Sequence, residues 1–209
     1  MVKEIDLRDF SPGVQKPEFG NPEHIALSKG CTRYLEFETK RSPLRMKISD
    51  SIGREIYLNP FAVFCLVKEL ELGNANIEVR FLATLNCGMG WVKEGGLWDE
   101  ETEGIRNFEM TLGLSGPAMK EYEVNNFERS LAYSVNHTFF HETQHIREAL
   151  LGLTNQERFK SLKERMLASK EDREKAHALE QTLPPEIFAR KKMSEVLSGR
   201  KELLPLVIL

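Results

Sequence analysis

The chain has 209 residues, enough for one domain with a substantial core. Apolar residues make up 41% and charged residues 29%, the balance of a globular domain, and the net charge is −3. With no clustered basic excess, this composition argues against nucleic acid or an anionic membrane as a partner.

Residues 1–30 are rich in turn formers: Ser11-Pro12-Gly13, Pro17, Gly20-Asn21-Pro22 and Gly30. They are expected to form an extended lead-in with little regular structure. Lys3, Glu4, Asp6, Arg8 and Asp9 leave no apolar stretch for a secretory signal at the start. From Cys31 to Leu58 the pattern is β-like. Tyr34, Leu35 and Phe37 form one short run, and Ile56-Tyr57-Leu58 another. Between them Leu44, Met46 and Ile48 alternate with Arg45 and Lys47, the period of a half-buried strand.

Asn59-Pro60 reads as a helix start, with Asn as cap and Pro in the first turn. The helix runs through Phe61, Phe64, Cys65, Val67 and Leu70 and stops at Gly73. Ile77 to Leu85 reads as a buried strand. Gly88, Gly90, Gly95 and Gly96 mark a turn-rich stretch around Trp91; without a following Gly-Lys-Ser/Thr they make no phosphate loop. Phe108, Met110, Leu112 and Leu114 alternate on one side of a further strand, ended by Gly116-Pro117. The remainder is helical: about 119–152, about 156–183 ending before Pro184-Pro185, and about 186–198 stopping at Gly199. Strands with one early helix followed by helices alone give an α+β fold.

Three parts follow: the lead-in 1–30, a domain over 31–199 and an apolar tail over 200–209. The run Leu203-Leu204-Pro205-Leu206-Val207-Ile208-Leu209 is too short to span a bilayer. It is expected to pack on the domain as a strand or tail, to inhibit the site as a strand, or to join copies of the chain as a homo-oligomer. Cys31, Cys65 and Cys87 are scattered and odd in number, which fits a reducing cytoplasm.

The chemistry concentrates in His141-Glu142-Thr143-Gln144-His145. Histidines at i and i+4 lie on one face of a helix, close enough to share an ion, and neutral imidazole suits Zn²⁺. Glu142 points about 100° around the helix from His141. That is too far for an equivalent ligand, yet within reach of a water on the ion, whose proton it can accept. The apolar stripe Val124, Phe127, Leu131, Val135, Phe139, Ile146, Leu150 and Leu153 has helical spacing. His141 and His145 fall roughly 100–140° from its centre, on the flank where a cleft can open.

These residues resemble the zincin metallopeptidases. Thr138-Phe139-Phe140 before the motif, uncharged Thr143 and Gln144 within it and Ile146 after it fit the family's helix; Arg147 stands where an apolar residue is usual. The resemblance covers roughly 56–183. It implies a zincin-like fold: a small mixed sheet with an early helix, then the active-site helix and C-terminal helices. It also implies a zinc-dependent hydrolysis of a peptide or protein substrate, with His141 and His145 as ligands and Glu142 as base. Glu148 and Leu151 occupy the positions where a metzincin needs Gly and His, which leaves the gluzincin pattern. Its third ligand is a Glu from a following helix, and Glu174 is the nearest match; His177, Glu180, Glu171 and Glu148 are alternatives. Glu148 suits support of a ligand histidine better than ligation. His177, three residues after Glu174, is placed to stabilise a developing oxyanion. His137, one turn before His141, reads as a hydrogen-bonding or surface residue, and His24 carries no assignment. An edge strand near 107–114 would let a peptide pair with its backbone and lie across the metal.

Two other functions stand beside this one. Glu142/His145 and Glu174/His177 are both Glu-x-x-His pairs, the spacing of di-iron carboxylate redox proteins. A zincin-fold adaptor that binds metal without catalysis is the other; the intact Glu142, which metal binding does not need, argues against it. Metal-dependent thiol or small-molecule transfer on a helical bundle, through a His137, His141, His145 ladder, is a further option that the strands disfavour.

Overall fold

The computed structural model describes residues 25–27, 32–35, 44–48, 56–86, 88–95, 104–115, 131–153, 174–175, 178 and 181–208. The fold mixes helix and sheet. Its labelled elements are β1 (Ile25–Leu27), β2 (Thr32–Leu35), β3 (Leu44–Ile48), β4 (Ile56–Leu58), α1 (Pro60–Glu69), β5 (Ala75–Asn86), β6 (Gly90–Glu94), β7 (Arg106–Ser115), α2 (Leu131–Leu150), α3 (Pro184–Leu197) and β8 (Leu206–Ile208).

Five strands form one sheet in the order β2-β3-β5-β7-β6. β3, β5 and β7 run parallel, and the outer strands β2 and β6 run antiparallel to their neighbours. Three strands form an antiparallel second sheet, β1-β4-β8. Period-two alternation puts Ile77, Val79 and Phe81 of β5 beside Phe108, Met110, Leu112 and Leu114 of β7 on one face, all buried. α2 lies against that face and brings Leu131, Val135, Phe139, Phe140 and Ile146 into the same core, which Ala189, Met193 and Val196 of α3 complete. Side chains are buried nearly all the way round the middle of α2, from Thr138 to Ile146, with only His141 half-buried. This is therefore a central helix and not a one-sided surface helix.

Several expectations need correction. The lead-in contains β1, which pairs in register with β4. The stretch read as turns around Trp91 contains β6, and β6, not β7, is the edge of the five-stranded sheet among the described residues. β7 lies inside the sheet, between β5 and β6. Only residues 87–89 separate β5 from β6, yet β7 is inserted between them. The chain therefore crosses the end of β7, and Gly113 lets it pass: a Cβ there would collide with the carbonyl oxygens of Asn86 and Leu85.

α1 begins as its sequence dictates. Asn59 Oδ1 accepts from the Ala62 amide at 3.2 Å, and Pro60 takes the first helical position. The helix ends at Glu69, before Gly73, and Glu71 takes the left-handed conformation beyond it at φ 54°. The third C-terminal helix starts at Pro184 rather than 186, because Pro fits a helix's first turn. Residues 119–130 and most of 156–183 lie outside the described residues. The apolar C-terminal run supplies β8, whose three residues are buried. Among the described residues no helix is long and apolar enough to cross a membrane.

Candidate metal centre

His141 and His145 sit mid-way along α2, one turn apart. Their Nε2 atoms are 3.1 Å apart, with the rings edge-on at 73°. The outer edges of both rings meet carboxylates. His145 Nδ1 lies 3.1 Å from Glu148 Oε2, one turn further along α2. His141 Nδ1 lies 3.4 Å from Glu186 Oε2, in the first turn of α3. The other oxygen, Glu186 Oε1, is 3.5 Å from His137 Nε2 and 3.4 Å from Arg190 Nε. The hydrogen bonds from His137 and then His141 hold the Glu186 carboxyl well below the usual carboxylate range, against the opposing effect of burial.

A carboxylate oxygen facing Nδ1 favours the ring proton there, which in a neutral imidazole leaves the lone pair on Nε2. Two lone pairs directed at each other across 3.1 Å repel unless a proton or a cation lies between them. Two nitrogens each 2.0–2.1 Å from a tetrahedral ion stand about 3.3 Å apart. The donor set therefore fits a borderline ion such as Zn²⁺ at both nitrogens. Among the described residues, no group of three His, Cys, Asp or Glu side chains forms a complete site.

Glu142 is buried on the neighbouring face of α2, at 2% exposure, where β6 crosses the helix. A Cβ on Gly90 would meet Thr138 Cγ2 at 2.5 Å, the Thr111 oxygen at 3.0 Å and Glu142 Cγ at 3.3 Å. Only glycine lets the strand approach this face of α2 so closely. Thr138 cannot yield easily, because its hydroxyl donates to the Ser134 oxygen at 2.9 Å and its β-carbon is branched. Gly90→Ala should cost about 1–3 kcal/mol through overpacking, read by urea denaturation. An unchanged midpoint would mean that β6 does not press on Thr138 and Glu142.

The other sequence-derived residues are placed as follows. Glu174 is helical and exposed. His177, Glu171 and Glu180 lie outside the described residues, as does His24. His137 is half-buried on Glu186 and stacks on Tyr133, ring centroids 6.2 Å apart. Glu186 carried no functional signal in the sequence: an acidic residue after Pro-Pro is a common helix start. Only the packing of α3 on α2 brings it to the histidines. Comparison with protein-family models, curated proteins and solved structures finds no match for this chain.

Proposed function

We infer that the chain is a zinc-dependent hydrolase, a metallopeptidase of zincin-like, gluzincin-type construction working in the cytoplasm. The observation that carries this reading is the convergence of His141 and His145 Nε2 at 3.1 Å, with a carboxylate behind each ring. Zinc would supply Lewis acidity there, polarising the scissile carbonyl and acidifying water. His141 and His145 hold the ion, and Glu148 and Glu186 keep the ring protons on the far edge. Glu142, one residue after the first ligand, takes the proton from the attacking water and returns it to the leaving amine. Its burial under β6 keeps bulk water from competing for the carboxylate. The outer edge of β6, with Trp91 and Met89 exposed at its start, is where an extended peptide would add as a strand. Glu174 and His177 remain the candidates for third ligand and oxyanion partner.

The test is metal content together with activity. One zinc per chain and cleavage of an unstructured polypeptide that a chelator abolishes are expected. Two irons per chain would support the redox alternative, and zinc binding without cleavage of any polypeptide would support the adaptor.

A further inference from the structure

We propose that Glu186 is a positioning residue through which α3 sets the ring orientation of His141, and so the affinity of the histidine pair for metal. The proposal rests on His141 and His145 being the ligands. Three observations carry it. Glu186 is the carboxylate that faces His141 Nδ1, at 3.4 Å. Its side chain is only 12% exposed although it sits in the first turn of a helix, where acidic side chains usually reach into water. It also spans two turns of α2, with one oxygen on His137 and the other on His141.

The asymmetry between the two ligands gives Glu186 its role. His145 takes its partner from its own helix: Glu148 is three residues on and needs no tertiary structure to reach Nδ1. His141 takes its partner from α3, so its orientation depends on α3 being docked. His145 is 5% exposed and sterically held, whereas the His141 side chain is 18% exposed and has more room to turn. A ring free to rotate about its Cβ–Cγ bond, or to move its proton to Nε2, no longer presents a lone pair to the ion. The energetic weight of such outer carboxylates is about 10- to 100-fold in metal affinity. His137 holds the second oxygen and, with Arg190, keeps the carboxylate from swinging to solvent.

Zinc affinity would be measured by competition with a chromogenic chelator for the wild-type chain, Glu186→Ala and Glu186→Gln. The expected result is a 10- to 100-fold loss for the alanine variant. The glutamine variant, which still offers an amide oxygen to Nδ1–H, should stay within a few-fold of wild type. Ring nitrogen NMR of the zinc-loaded wild-type chain adds a readout that does not depend on any variant folding. His141 should bind zinc through Nε2 and carry its proton on Nδ1, and zinc bound through Nδ1 would overturn the proposal. Zinc binding by wild type with an unchanged affinity for folded Glu186→Ala would also overturn it, while leaving the ligand assignment intact. Absence of zinc binding by wild type would instead remove the ligand assignment itself, and the proposal with it.

Discussion

Glu142→Gln is expected to bind zinc as wild type does and to lose about 10²- to 10⁴-fold in hydrolytic rate. The separation follows from placement. In the proposed site the ligand nitrogens are those of His141 and His145, whose Nε2 atoms meet at 3.1 Å on one face of α2. Glu142 is rotated about 100° from His141 and lies under Gly90 of β6 instead. An amide has the volume of the carboxylate it replaces, so the close contact of β6 with Thr138 and Glu142 is kept. What disappears is the capacity to accept a proton. The attacking water then loses its base and the leaving amine its acid, while the ion and its holders are untouched. Zinc stoichiometry and kcat/KM on one polypeptide substrate at saturating zinc separate the two effects. Full activity in the variant would exclude Glu142 as the base. Loss of zinc together with activity would place the carboxylate in the metal site.

The helical ladder of α2 was legible because its determinants are local. A histidine spacing of four and a stripe of large apolar residues report directly on a helix face. The same holds for the Asn59 cap and for the alternation of β7. Alternation reports which residues share a face, but not which strand stands alongside. β7 therefore read as an edge, although the chain passes over Gly113 to place β6 outside it. β6 itself was hidden because its signature is the glycine of a turn. Gly90 is there for the close approach to α2, and pairing with β7 makes the segment a strand. β1 is three residues long and becomes a strand only beside β4. Glu186 is the same kind of omission at the site. Glu148 could be placed near His145 from spacing alone, whereas Glu186 acquires its meaning only when α3 docks on α2.

Replacing Asn136 should be among the most destabilising single changes in the chain, at about 2–5 kcal/mol. The residue is fully buried on α2, one turn before the ligand region. Its Nδ2 donates to the Leu206 oxygen at 2.7 Å and to the Ala132 oxygen at 2.7 Å, and its Oδ1 accepts from the Leu206 amide at 2.9 Å. A single side chain thus does for the outer edge of β8 what a neighbouring strand would do. β8 pairs with β4 on its other side, so the apolar C-terminal run is held between a sheet and the central helix. Without the amide, the N–H and C=O of Leu206, a residue with no exposure, lose their partner, and each costs about 1–3 kcal/mol when left unmade. Asn136→Leu distinguishes this from a packing defect. Leucine fills a similar volume but makes neither bond, so it should be no better than Asn136→Ala by urea denaturation. Asn136→Asp should also fail, because a carboxylate accepts from the amide but repels the carbonyl. A leucine variant as stable as wild type would mean that β8 is held by its apolar contacts alone. The expected loss is a large share of the 5–15 kcal/mol typical of a whole domain. It would release β8 from α2 and loosen the helix that carries both histidines, so zinc, if the proposed site holds it in the folded chain, should recover part of the loss by mass action.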